Sequence, residues 1–169
     1  MPTTNRLEWN RLERAGWRVV AHSVRTAVAA VVSIMVARLF RLPEAYWAPI
    51  TTLVITQSSL GAALKVSRQR IIGTALGAVF GAIVATYFGP RVLVFGAGVF
   101  ILGLLCAVVR SDRSAYRFAG VTLAIVLLVP RTGPAWQIAF HRFAEVFIGI
   151  AVALVLAVVW PESTPSGAM

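Results

Sequence analysis

The chain has 169 residues, of which 59% are hydrophobic, and its mean hydropathy is +0.81. A soluble domain of this length needs more polar side chains to cover its surface. The composition therefore excludes a soluble domain and predicts an integral membrane protein. The formal net charge is +10, but the basic residues are spread between apolar segments and do not form one patch with interleaved aromatic residues. We therefore expect no nucleic-acid partner.

The first 18 residues predict an amphipathic helix on the cytoplasmic membrane surface, and a first span follows over residues 19–40. Arg25 lies inside this span, where a guanidinium is costly. The same helical stripe carries further polar or small side chains: His22, Thr26, Ala29 and Ser33. Either this stripe lines a water-filled anion path, or Arg25 extends its charge outward to the lipid headgroups.

A second span is predicted from Ala45 to Leu64. Pro49 interrupts its backbone hydrogen bonding, and Thr52 and Thr56 form a hydroxyl stripe. These hydroxyls are candidates for the anion path. The alternative is that they bond to backbone carbonyls of their own helix.

Two later spans carry an arginine followed by small residues at four-residue spacing. In the third span, predicted from Ile71 to Pro90, the stripe after Arg70 consists of Gly73, Gly77, Gly81 and Ala85. In the sixth, predicted over residues 143–160, the stripe after Arg142 consists of Glu145, Gly149, Ala153 and Ala157. Such stripes let helix backbones approach closely in a membrane, so they predict helix packing. The fourth and fifth spans are predicted over residues 92–109 and 118–129.

Glu145 is the only acidic residue placed inside a predicted span. An intramembrane carboxylate is a candidate for proton coupling. The alternative is a structural ion pair with Arg142, which lies three residues earlier on the same helix face.

Six spans place both termini on one side of the membrane. Ten basic residues lie before the first span, between the second and third, and between the fourth and fifth, against five on the opposite side, so the termini should be cytoplasmic. A shift of 72 positions aligns Arg70 with Arg142, Gly77 with Gly149, and Tyr46 with Phe118. This predicts two inverted three-helix repeats, about 19–88 and 91–160, ahead of a disordered tail at 161–169. Alternatively, an old duplication survives only for packing.

No soluble-enzyme constellation is visible, because no nucleophile has a base and an orienting group near it. The single cysteine, Cys106, excludes disulfides and cysteine metal clusters. We therefore expect no catalytic residues, no metal and no cofactor.

Two segments carry a family resemblance. YWAPITTLVITQ at 46–57, with RIIGTALGAVFGA at 70–82, resembles the signature of the fusaric acid resistance and aromatic acid exporter family, and HRFAEVFIGIAVALVLAVVWP at 141–161 resembles the close of its membrane unit. The resemblance implies a six-helix inner-membrane module that exports organic anions and is driven by the proton gradient. A related branch forms dimeric anion channels, so a homodimer is implied here.

The expected function is therefore a multi-pass inner-membrane permease for small organic anions such as aromatic carboxylates. The predicted anion path contains Arg25, Arg70, His22, Thr52 and Thr56, with Glu145 and Arg142 in proton coupling or an ion pair. Two alternatives remain: a passive dimeric anion channel, and a non-transporting membrane subunit of a larger complex. The expected partners are the lipid bilayer, the anion and a second copy of the chain.

Overall fold

Six α helices make up the part of the chain that the computed structural model describes, which is residues 3–56, 60–109, 112–129 and 133–160, with the backbone alone at 3–15 and 18. The helices are α1 Thr3–Leu39, α2 Trp47–Ile55, α3 Leu60–Phe88, α4 Val92–Val108, α5 Arg113–Leu128 and α6 Ala135–Val159. These residues contain no strand, and the predicted all-α fold class is confirmed within them. The predicted tail at 161–169 lies outside the described residues.

The first helix runs without a break through two predicted elements. α1 contains 37 residues, so it is roughly 55 Å long at 1.5 Å per residue, against a hydrocarbon core of about 30 Å. Its segment Val19–Leu39 is long and apolar enough to cross a membrane. Most side chains that predict an amphipathic helix at 1–18 lie outside the described residues.

The predicted second span is wrong as a single helix. α2 has 9 residues and ends at Ile55, while Leu60 already belongs to α3. At 1.5 Å per residue α2 is roughly 14 Å long, about half of a hydrocarbon core. Pro49 lies in the first turn of α2, where its missing N–H breaks no helical hydrogen bond, so it marks a helix start and not an internal kink.

The basic segment expected as a loop before the third span is helical. Lys65, Arg68 and Arg70 lie in the first three turns of α3, which is 29 residues long. Like α6, α3 is long and apolar enough to span a membrane. Arg70 is therefore held on a rigid helix, and its side chain is buried.

The helices α3 and α6 contact each other and join two groups of helices. α3 packs against α4 and α5, α6 packs against α1 and α2, and the outer helices pair as α1 with α2 and α4 with α5. The packing pairs are symmetric under an exchange of α1 with α4, α2 with α5 and α3 with α6. Under this exchange every packing pair among the described residues becomes a packing pair again; for example, α2 with α6 becomes α5 with α3. A duplicated three-helix unit produces a pattern of this kind.

The buried and exposed side chains have the distribution of a membrane protein. One apolar cluster, which includes Leu102, Cys106 and Leu123, lies between α3, α4 and α5, and a second, which includes Ile55 and Val146, lies between α2, α3 and α6. Large apolar side chains are exposed on all six helices, among them Trp17, Leu53, Val79, Leu93, Val121 and Phe147. An apolar exterior around a core rich in alanine and glycine suits a lipid environment.

Candidate functional site

Two buried arginines each lie over an aromatic ring of a neighbouring helix. The guanidinium carbon of Arg70 on α3 is 4.8 Å from the ring centroid of Phe118 on α5. The guanidinium carbon of Arg142 on α6 is 3.6 Å from a ring centroid of Trp47, the first residue of α2. The two arginines are 6% and 2% exposed, so each ring replaces part of the hydration that the cation loses.

The two arginine sites are equivalent in sequence register. Arg70 and Arg142 are 72 positions apart, and Trp47 and Phe118 are 71 apart. The predicted shift of 72 aligns Phe118 with Tyr46, whereas the ring that lies against Arg142 is that of the next residue, Trp47.

Glycine contacts follow the same two registers. A Cβ on Gly77 would meet the backbone of Ala119, with its Cα at 2.9 Å, and a Cβ on Gly149 would meet the carbonyl of Ala48 and Cβ of Thr51 at 2.6 Å. The predicted small-residue stripes thus lie in helix interfaces. Gly73, Gly77 and Gly81 face α5, Gly149 faces α2, and Ala153 is buried in the cluster between α2, α3 and α6.

Arg70 has no hydrogen bond or ion pair with another residue in the described ranges. Its Nε is buried without an acceptor, and so is the hydroxyl of Ser67, one helical turn earlier on α3. Asp112, just before α5, accepts a hydrogen bond from Nε2 of Gln69 at 2.6 Å. Nε of Arg70 and the hydroxyl of Ser67 are therefore two adjacent buried polar groups whose hydrogen-bonding capacity the described residues do not satisfy.

Arg142, in contrast, lies next to an acid. The distance from its Nη1 to Oε2 of Glu145 is 3.9 Å, and Glu145 is 1% exposed. Oε1 of Glu145 accepts a hydrogen bond from the backbone N–H of Glu44 at 3.1 Å, and the indole N–H of Trp47 donates to Oε2 of Glu44 at 2.9 Å. The carboxylate of Glu145 thus joins α6 to the turn that leads into α2.

The predicted anion path is not brought together around one cavity of the described residues. Arg25 is 4% exposed and shares a buried stripe with Ala29 and Ser33, but His22 on the same helix is exposed. α1, which carries Arg25, packs against α2 and α6, whereas Arg70 lies against α5. The helical stripe that grouped His22 with Arg25 therefore does not match the face that α1 buries.

The hydroxyls of Thr52 and Thr56 bond to backbone carbonyls. Thr52 Oγ1 donates to Ala48 O at 3.1 Å or to Gly149 O at 3.0 Å, so it links α2 to α6. Thr56 Oγ1 donates to Thr52 O at 2.7 Å. Hydrogen bonds of this kind are the alternative that the sequence left open for these two hydroxyls.

Two open apolar grooves flank α6. One, of about 630 Å³, lies between α1 and α6 and includes Phe40, His141 and Phe147; the other, of about 500 Å³, lies between α3 and α6 and includes Ala82, Trp136 and Phe143. Neither groove is lined by Arg25, Arg70 or Thr52. The buried arginines are thus separate from both.

The aromatic partners of the two arginines and the contacts of Glu44 were not predicted from the sequence. Phe118 and Trp47 lie near the starts of apolar segments, where interfacial aromatic residues are common. Glu44 lies in a short loop. The one sequence signal for the two aromatic residues is the shift of 71 that aligns Trp47 with Phe118.

Three curated relatives are similar to most of this chain. "Uncharacterized transporter YdhK" of Escherichia coli (strain K12) is 28% identical over 172 residues, covering 96% of this chain and 25% of its own length. "Inner membrane protein YeeA" of the same strain is 30% identical over 151 residues, covering 85% and 41%. "Putative arylamide transporter" of Mycobacterium tuberculosis (strain ATCC 25618 / H37Rv) is 28% identical over 153 residues, covering 88% and 41%. The chain thus spans between a quarter and about two fifths of the length of these relatives.

No solved structure matches the chain significantly. The sequence profile of the family described as fusaric acid resistance protein-like matches residues 13–156, which is most of the chain. Relatives are named as inner membrane proteins, and several helices here are apolar and long enough to span a membrane. The chain therefore belongs to the fusaric acid resistance protein-like family and is a multi-pass protein of the bacterial inner membrane.

Proposed function

We propose that this chain transports small organic anions, with aromatic carboxylates as the preferred class, and that Arg70 binds the carboxylate. The observation that carries the proposal is the guanidinium of Arg70, which is 6% exposed over the ring of Phe118 and has no acid or hydrogen-bond acceptor among the described residues. Burial of a guanidinium without a paired anion carries a desolvation cost. A bound anion offsets that cost.

The chemistry of the site favours a planar carboxylate. A guanidinium pairs with a carboxylate through two parallel N–H···O bonds, and the hydroxyl of Ser67 adds a donor one turn away. The ring of Phe118 offers a face or an edge to an aromatic ligand. The names of the family and of the relatives, which include an acid and an arylamide, agree with this class of small aromatic molecule.

The finer architecture is part of the proposal. Two inverted three-helix repeats with cytoplasmic termini are supported by the exchange of packing pairs and by the paired registers of the arginines. The two arginines then lie toward opposite membrane faces, Arg70 toward the cytoplasm. The working unit is proposed to be a homodimer on the family resemblance alone.

Efflux of radiolabelled benzoate from proteoliposomes tests this function. Arg70→Gln should lower the rate about tenfold or more, since a charge-assisted pair is worth about 1.5–3 kcal/mol. Arg68→Gln is the matched control, because Arg68 lies two residues earlier on α3 with an exposed side chain and should keep the wild-type rate. The same efflux measurement on Arg25→Gln tests whether Arg25, the other buried arginine of the predicted anion path, contributes to transport.

Three outcomes separate the alternatives. A rate that depends on an imposed pH gradient favours proton-coupled export, whereas an anion current that persists without the gradient favours a passive channel. If wild-type vesicles release benzoate no faster than protein-free vesicles, the transport proposal is wrong and a non-transporting subunit is favoured.

A further inference from the structure

Glu145 occupies the repeat position of Gly73. Gly73 follows Arg70 by three residues, and Glu145 follows Arg142 by three. At Gly73 the backbones of α3 and α5 approach so closely that a Cβ would meet the carbonyl of Ala115 and Cβ of Phe118 at 2.8 Å. At Glu145 the equivalent space between α6 and the start of α2 holds a carboxylate.

The two arginine sites therefore differ in one main respect. In both, a guanidinium at least 94% buried lies over an aromatic ring from the neighbouring helix. Arg142 has a carboxylate oxygen of its own chain at 3.9 Å, whereas Arg70 has no ion pair with the described residues. A carboxylate of the chain thus lies at Arg142, whereas no carboxylate of the described residues pairs with Arg70.

We propose that Arg142 and Trp47 form a second carboxylate-binding site and that Glu145 fills it from within. The inference rests on the proposed function, because the ligand class is taken from Arg70. In this account the carboxylate of Glu145 takes the place that a ligand carboxylate takes at Arg70. A small organic carboxylate and Glu145 then compete for the same guanidinium.

The side chain offers a direct way to test this replacement. Glu145→Ala removes the CH₂–COO⁻ group, which has the same heavy atoms as an acetate ion, and keeps Cβ. Both donors remain in place: the guanidinium of Arg142 and the backbone N–H of Glu44. Acetate should therefore enter the vacated space and restore the charge pair.

The experiment measures acetate binding to the purified full-length chain in lipid nanodiscs, with radiolabelled acetate and with tryptophan fluorescence. Glu145→Ala should bind one acetate per chain, at least about tenfold more tightly than wild type does at this site and than neutral acetamide binds the variant. The fluorescence change should disappear in Glu145→Ala/Trp47→Phe, because Trp47 lies under the guanidinium.

Two control variants make the result specific. Glu145→Gln keeps the space filled and should not gain acetate binding. Arg142→Met/Glu145→Ala has the space without the cation and should not bind acetate either. If Glu145→Ala folds poorly, the second variant is Glu145→Ser, purified in acetate. Acetate bound in the vacated space should restore the charge pair with Arg142. Failure of both variants to fold in acetate would therefore contradict the proposal.

The outcome is distinguishable from that of the proposed function. If Glu145→Ala binds acetate no better than acetamide, Glu145 has a structural role only and the second site is wrong, even if benzoate binding at Arg70 is intact. If Arg70 proves not to bind benzoate while Glu145→Ala gains acetate, the proposed function fails and the carboxylate site at Arg142 stands.

Discussion

Arg142→Met should lower the free energy of unfolding by about 3–5 kcal/mol, because it leaves the carboxylate of Glu145 buried without its cation. Arg70→Met should raise the free energy of unfolding or leave it unchanged. Arg70 has no ion pair among the described residues, so methionine removes a desolvated charge and keeps the apolar contact with Phe118. Thermal and denaturant unfolding of the purified protein measures both changes.

The double variant Arg142→Met/Glu145→Met is the control for this pair. It removes both charges together, so it should be more stable than Arg142→Met alone, and the cycle of single and double variants isolates the coupling. Equal losses for Arg70→Met and Arg142→Met would contradict the view that one arginine is paired within the chain and the other is not.

Gly77→Ala should destabilise the helix pair α3 and α5 by about 1–3 kcal/mol or more. The added Cβ would lie 2.9 Å from Cα of Ala119 and from Cβ of Thr122, and closer still to the carbonyl of Ala119, so the backbones must separate. Separation also weakens the close packing that holds membrane helices together. The measurement is the unfolding midpoint, together with the yield of monodisperse protein.

Gly120→Ala is the matched control on α5. A Cβ there meets nothing within 4 Å, so the substitution should be neutral or stabilise the helix by about 0.5–1 kcal/mol through alanine's higher propensity. If the two glycines respond alike, the interface at Gly77 is not as tight as described.

Much of the fold could be predicted from local pattern. Continuous apolar segments of about 20 residues indicate helices by their length, and the four-residue spacing of Gly73, Gly77 and Gly81 indicates a packing face. The length of α2 could not be predicted. The apolar stretch 45–64 has the composition of a full span, yet α2 ends at Ile55 and α3 begins at Leu60.

The site was predictable in part. Arg70 and Arg142 stand out because charges are costly in apolar helices and because they share a register with the glycines. Their aromatic partners were missed, since the contact between Arg142 and Trp47 joins residues far apart in the sequence, which local spacing does not predict. His22 and Arg25 share a predicted stripe but differ in burial, because helical spacing defines a stripe and not which of its residues the neighbouring helices bury.

The most direct test of this account is equilibrium binding of radiolabelled benzoate to the purified chain in nanodiscs, with wild type, Arg70→Met and Arg68→Met compared. We expect one benzoate per chain in wild type and in Arg68→Met, and an affinity at least about tenfold weaker in Arg70→Met, with the variant as stable as wild type. Undiminished benzoate binding by a folded Arg70→Met protein would contradict the claim that this buried guanidinium is the anion site.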